Sequence, residues 1–379
     1  MNGFFEKVKK RVFWKVFYFL PIINKNKIVV QSYYGRGYSD NPKYIVEEIL
    51  KQNPNFKIYW NVSDISNDNN LPKGVVPLKM NSMRSIYHMC TAKVWIDNCR
   101  KYYFINKKKK QIYIQTWHGF GVKRIEKDVE ENLDPGYIRM AKKDSKMCDL
   151  LISNSELLTQ IYRNCFWYDG EILECGSPRN DIFFVDNSKR IDSIRSKIGV
   201  GPNDKILLYA PTFRKNFGLE QYDIYYELLV NSLKKKFGDE WKILIRLHPN
   251  IAKKSKELNL NQDFIIDVSN YDDIQELMLA SNVLITDYSS SMFDFALTKK
   301  PCFLYANDIS QYKDDRNFYF DIDKLPFPLA CNNNELEEKI LNFDPDRYKE
   351  DIEKFLIDFK FNESGSAAKS ILCWLRNHI

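Results

Sequence analysis

The sequence predicts an α/β protein made of two successive doubly wound units, each a mostly parallel sheet with helices on both faces. Three observations carry this. Short runs rich in β-branched and aromatic residues alternate with helical patterns along most of the 379 residues, as repeated strand–helix–strand units require. The alternation pauses in a polar connector, Asp186–Val200, meets the turn Gly201-Pro202-Asn203 and then restarts. Two of the four histidines stand just past apolar strands, at the carboxyl ends where open α/β sheets place their ligands.

In the first half, residues 27–34 (KIVVQSYY) read as a strand and Gly35-Arg36-Gly37 as a turn. Asn41-Pro42 opens a helix running to about Gln52. Strands follow at 56–62 and 75–78, a helix at 82–92 and a strand at 93–97. Four lysines, Lys107 to Lys110, read as a solvated loop before the strand Gln111–Gln115. A charged helical region reaches Met147, and Asp149–Ser153 is a strand. Asn154-Ser155-Glu156 opens the next helix, and Glu171–Cys175 is again a strand. After the connector come a strand at 205–209, a helix at roughly 222–236, and the strand from Trp241 towards His248, stopped by Pro249. Then follow a strand at 264–268, a helix at 271–280, a strand at 282–286 and a helix to Leu297. Pro301–Tyr305 is the last clear strand, and helices near 334–342, 346–360 and 365–377 close the chain. The expected domains are therefore 28–200 and 201–379, facing each other across a cleft, after a separate segment 1–27.

That first segment carries Phe4, Phe5, Val8, Val12, Phe13, Trp14, Val16, Phe17, Phe19 and Leu20 with Lys7, Lys9, Lys10, Arg11 and Lys15. Bulky apolar residues and cations on one short helix suit an anionic membrane interface; the plainer alternative is a helix packed on the domain. The net charge of +7 favours anionic partners, but the charge is dispersed, which argues against nucleic acid. The eight cysteines form no CxxC pair, so neither a zinc site nor a disulfide framework is expected, and a reduced, cytoplasmic setting is. No apolar run has the length of a membrane span, and no cleavage site of a secretory signal follows the start.

The candidate chemistry lies at the strand ends. Gln115 to Arg124 (QTWHGFGVKR) joins an imidazole, His118, to two glycines and the cations Lys123 and Arg124. That set suits proton transfer beside a phosphate, with Gly119 and Gly121 able to take φ > 0. Residues 241–249 (WKILIRLHP) place His248 and Arg246 after a second strand. Thr212 and Arg214 end a third; arginine binds phosphate oxygens in a two-pronged way. Residues 287–291 (DYSSS) offer Asp287, Ser289 and Ser290 between strand and helix, where hydroxyls and open N–H groups hold phosphate. Asp294 reads as a charged residue on an exposed helix face. No convincing cluster of metal ligands stands out, so no metal and no cofactor is expected.

Taken in order, QTWHG (115–119), ISNSE (152–156), GSPRND (176–181), YAPTFR (209–214), RLHP (246–249) and TDYSSSMFDF (286–295) resemble the CDP-glycerol glycerophosphotransferase family, the teichoic acid primases and polymerases. The resemblance covers about residues 90–310, and the size is like that of the short members. Phe120 departs from it, since a small polar residue usually follows WHG. The resemblance implies two Rossmann-like domains of GT-B type and peripheral attachment to the cytoplasmic face of the membrane. It implies transfer of glycerol phosphate from CDP-glycerol to a lipid-linked or growing glycan, teichoic acid or capsule polymer, with release of CMP. It makes His118 the base for the acceptor hydroxyl and His248 the partner of the phosphate under attack. Thr212, Arg214, Arg246, Asp287, Ser289 and Ser290 fall near the donor. The expected meeting point is one diphosphate shared by both imidazoles. A CDP-ribitol donor, or a nucleotide-sugar glycosyltransferase of the same fold, stays open, as do the acceptor and the oligomeric state.

Overall fold

The computed structural model describes residues 2–52, 55–65, 70–121, 123–214, 224–248, 251, 262–309 and 318–379. It contains two compact units, one formed by residues up to His118 with Ile125–Phe184 and Lys360–Ile379, the other by Gly119–Arg124 and Val185–Phe359.

The first unit is built on β1 (Asn24–Gln31), β2 (Lys57–Val62), β3 (Val75–Lys79), β4 (Ala92–Asp97), β5 (Ile112–Gln115), β6 (Leu150–Ser153) and β7 (Glu171–Glu174). Among the described residues these form a seven-stranded sheet in the order β3-β2-β1-β4-β5-β6-β7, parallel at every pairing. The order reverses between β1 and β4, which makes a crevice at their carboxyl ends. The continuous apolar runs are explained by burial on both faces. Ile28, Val30, Val94, Ile96, Ile112 and Ile114 point to one face, where α2 (Asp40–Gln52) adds Ile45, Val46 and Ile49. Val29, Trp95 and Tyr113 point to the other, where α1 (Asn2–Tyr18) and α3 (Met83–Thr91) supply Trp14, Ile86 and Met89. The turn after β1 needs its glycine: Gly35 has φ +83°, and a Cβ there would stand 2.6 Å from the Ser63 backbone nitrogen. Completing this unit are α4 (Pro135–Met147) and α5 (Glu156–Cys165), capped by the side chains of Asp134 and Ser155.

The second unit holds α6 (Ser188–Ile198), β8 (Lys205–Tyr209), α7 (Tyr226–Phe237), β9 (Trp241–Ile245), β10 (Ile265–Asp267), α8 (Ile274–Ala280), β11 (Val283–Thr286), α9 (Ser291–Ala296), β12 (Cys302–Tyr305) and β13 (Leu329–Ala330), followed by α10 (Asn333–Leu341) and α11 (Pro345–Asp358). Among the described residues its six-stranded parallel sheet runs β10-β9-β8-β11-β12-β13 and reverses between β8 and β11. Pro249 lies outside the described residues, as do 222 and 223 at the expected start of α7.

Four expectations need correction. The last helix, α12 (Ala367–His378), belongs to the first unit: Ile371, Leu372 and Leu375 complete the core beside α2, and Asp181 accepts from the backbone of Ala367 and Ala368 at 2.9 Å. Conversely, α6 belongs to the second unit, with Arg190 and Glu276 paired at 2.9 Å. The divide therefore falls after Phe184 rather than at Gly201. Third, α1 is not a detached amphipathic segment. Trp14 is 2% exposed and packs edge-on against Trp95 at 6.1 Å, with Phe13 and Phe17 beside it. Nor is the lysine run wholly solvated: Lys107 pairs with Asp149 at 2.8 Å and Lys108 donates to the Leu20 carbonyl at 2.6 Å, while Lys109 and Lys110 are exposed. No described helix is long and apolar enough to cross a membrane.

Because Ile371 is fully buried in the first unit's core, Ile371→Ala is expected to cost about 2–5 kcal/mol of stability, measured by denaturant unfolding. A cost near zero would remove α12 from that core.

Candidate active site

In the first unit, the site begins where β5 runs out. Thr116 keeps one further strand-like bond, its N–H donating to the Asp97 carbonyl at 2.8 Å. Trp117 then turns the chain by taking φ +50°, a conformation costly for a bulky side chain. The glycines expected to turn this loop do not do so, since neither Gly119 nor Gly121 has a positive φ. The strained residue is held by several contacts. Its N–H donates to Gln115 Oε1 at 2.9 Å, its ring meets Phe166 edge-on at 4.7 Å, and the Arg100 guanidinium lies 5.5 Å from its centre. Arg100 is itself buried and paired with Glu126 at 3.1 Å and Asp144 at 3.2 Å.

His118 stacks on that indole, with ring centres 4.4 Å apart and planes at 27°. Its Nδ1 lies 2.6 Å from the Asn98 carbonyl oxygen. A carbonyl can only accept, so Nδ1 carries the proton and Nε2 is the basic nitrogen. Burial lowers the pKa of the imidazole, against the pull of the Asn98 carbonyl and Asp40. The ring is thus neutral at neutral pH and oriented as a proton acceptor. Asn98 follows β4, and its side chain accepts from the Tyr33 N–H at 2.8 Å and donates to Ser32 Oγ at 3.3 Å. The site therefore lies at the reversal between β1 and β4.

In the second unit, Asp287 organises the corresponding reversal. It follows β11 and is 2% exposed. It accepts from the Thr212 N–H at 2.9 Å and from Thr212 Oγ1 at 3.0 Å, and it pairs with Arg214 at 2.9 Å. Asp308 takes the other edge of that guanidinium, at 2.6 Å to Nε and 3.1 Å to Nη2, and also accepts from Tyr288 OH at 3.1 Å. Arg214 is thus turned onto two carboxylates rather than presented to a phosphate. Arg246 behaves similarly, its Nη2 donating to the carbonyls of Tyr271 at 3.0 Å and Asp272 at 3.2 Å. His248, by contrast, is exposed, with the Phe213 ring 5.5 Å from its own. Ser289 and Ser290 are half-buried at the start of α9, and Ser289 Oγ accepts from Ser291 Oγ at 2.9 Å. Asp294, expected on an exposed face, is buried and accepts from Gln275 at 3.2 Å. Lys123 bridges to Phe318, and Phe120 is buried against Phe293 at 4.8 Å, so its bulk fills core.

A family model described as CDP-glycerol:poly(glycerophosphate) glycerophosphotransferase matches residues 12–375. The chain belongs to this family. It is 36% identical over 363 residues to a teichoic acid poly(glycerol phosphate) polymerase of Staphylococcus epidermidis, which covers 92% of this chain and 50% of that one. The chain thus spans about half the length of that relative. It is 33% identical over 378 residues to the Bacillus spizizenii protein of the same description, covering 96% of this chain and 95% of that one. Among solved structures, the wall teichoic acid polymerase TagF soaked with CDPG superposes with a TM-score of 0.86 at 32% identity, covering 99% of this chain and 97% of that one.

Within this family frame the motifs divide by task. The GSPRND stretch is largely structural: Gly176 has φ +91° with the Asn362 carbonyl 2.8 Å from where a Cβ would sit, and Asn180 donates to Glu363 at 2.9 Å. In ISNSE, Ser155 caps α5 and Asn154 also donates to Glu363, at 3.0 Å. Sequence reasoning missed Asn98, which acts through its backbone carbonyl, and Asp308, a lone carboxylate after β12 with no motif around it. Asp287→Ala would deprive Arg214 and Thr212 of the one acceptor they share. It is expected to cost about 3 kcal/mol, read from urea unfolding; a cost under about 0.5 kcal/mol, the scale of an ordinary surface change, would contradict the organising role.

Proposed function

We propose that this protein transfers glycerol phosphate from CDP-glycerol to a hydroxyl of a lipid-linked or growing teichoic acid or capsule polymer. The observation that carries this is the His118 tautomer: a neutral, stacked imidazole with Nε2 as its basic nitrogen, on a chain of the glycerophosphotransferase family. His118 Nε2 takes the proton of the acceptor hydroxyl. The acceptor oxygen attacks the phosphorus bearing glycerol, the bond from that phosphorus to the bridging oxygen breaks, and CMP leaves. Phosphoryl transfer asks chiefly for positioning and charge neutralisation. His248, exposed shortly after β9, is the group for the donor phosphates. Ser289 and Ser290 are the hydroxyls beside them. Thr212, Arg214, Arg246 and Asp287 shape the donor site from behind. No obligatory metal or cofactor is part of this reading.

The experiment is CMP release from CDP-glycerol with a teichoic acid acceptor, in buffer and in EDTA. Activity is expected in both. His118→Ala and His248→Ala should each lose on the order of a hundredfold or more in rate. Folded His118→Ala protein as fast as wild type would end the base assignment. Turnover of CDP-ribitol or of a nucleotide sugar in preference to CDP-glycerol would move the donor assignment to that compound.

The membrane reading becomes narrower. With Trp14 in the core, the outward face of α1 and its exit carries Arg11, Val12, Lys15, Val16, Phe19 and Ile22, all exposed. An apolar stripe flanked by cations fits an anionic lipid surface. Val16→Glu with Phe19→Glu should reduce co-sedimentation with anionic vesicles while the unfolding midpoint stays put. Unchanged co-sedimentation would count against lipid contact through this face.

A further inference from the structure

Arg179 of the GSPRND stretch is 3% exposed and Asp40, at the start of α2, is 4% exposed. Their side chains pair at 3.0 Å. Such a pair is costly to bury, and this one sits at the carboxyl edge of the first sheet, beside His118. Two further bonds link it to the histidine's loop. The Arg179 N–H donates to Asn41 Oδ1 at 3.1 Å. Asn41 Nδ2 in turn faces the carbonyls of Thr116 at 3.4 Å and Trp117 at 3.3 Å. On the other side, Tyr33 donates its hydroxyl to Asp40, sets its ring edge-on to His118 at 5.7 Å and bonds Asn98, whose carbonyl holds Nδ1. Both Tyr33 (φ +42°) and Asp40 (φ +61°) occupy the left-handed region, where non-glycine residues persist only if their surroundings hold them.

We propose that the buried Asp40–Arg179 pair is a positioning element for His118: through Asn41 and Tyr33 it fixes the loop that carries the imidazole. Its two opposite charges also act on the ring. The proposal rests on His118 being the base. Asp40 favours the imidazolium and Arg179 disfavours it. A further charged group acting on the ring is Glu126, which favours the imidazolium and is paired with Arg100; Arg100 lies beyond the Trp117 ring.

The test follows the His118 titration by NMR of imidazole-labelled protein, alongside CMP release. Asp40→Asn removes the favouring charge and should move the His118 midpoint to lower pH. Arg179→Gln should move it to higher pH. Shifts of about half a unit or more are expected from nearby charges. Coincident midpoints, or movement in the same direction, would overturn the electrostatic half. Asn41→Ala keeps both charges and serves where a charge variant fails to fold. It should leave the midpoint in place and lower kcat about tenfold or more with the KM for CDP-glycerol unchanged. An unchanged kcat, or a loss confined to KM, would overturn the positioning half. The titration needs no substrate, so wild-type protein that does not turn over CDP-glycerol would refute the function proposed above while the midpoints still decide this proposal.

Discussion

The hydrogen bond from His118 Nδ1 to the Asn98 carbonyl is the contact around which the first unit is arranged. It joins the ends of neighbouring strands, β4 and β5, and selects one tautomer of a ring that has two. Everything near it limits rotation of that ring. Trp117 stacks on it, Arg100 and Phe166 hold Trp117, and Tyr33 packs at its edge while tethering Asn98. Two of these residues, Tyr33 and Trp117, adopt left-handed backbone conformations that an isolated chain would avoid. A fold that maintains strain at the carboxyl edge of a parallel sheet is maintaining a site.

The second unit solves the matching problem with a carboxylate. Asp287 ties the loop after β8 to the loop after β11 by accepting from the backbone and side chain of Thr212 and from Arg214. A buried carboxylate with that many donors is held in one orientation. The arginines that a sequence reading would give to phosphate are committed inside the protein, to Asp287 and Asp308 or to backbone carbonyls. Among the described residues, His248 is exposed at this edge and Ser289 and Ser290 are half-buried.

Most strands were legible because both faces of each sheet are buried, which leaves unbroken apolar runs such as Ile28–Val30 and Ile243–Ile245. The two-residue β13 is too short to show any periodicity. The apolar stripe of α12 shows that it buries a face but not against which sheet, so its return to the first unit could not be read. The N-terminal segment misled for a related reason: Trp14, Val16 and Phe19 look alike in sequence, yet Trp14 is core and the other two are exposed. Both histidines and Asp287 could be found from the strand-end pattern. Asn98 could not, since its contribution to His118 is a backbone carbonyl that any residue carries. The arginines were legible as cations, while their carboxylate and carbonyl partners lie up to 94 positions away.

The central claim is the protonation pattern of one ring, and nitrogen NMR of imidazole-labelled protein at neutral pH reads it directly. His118 is expected to show a protonated Nδ1 and an unprotonated Nε2, in a single tautomer. A His118 signal with the proton on Nε2, or one averaged between the two forms, would contradict it.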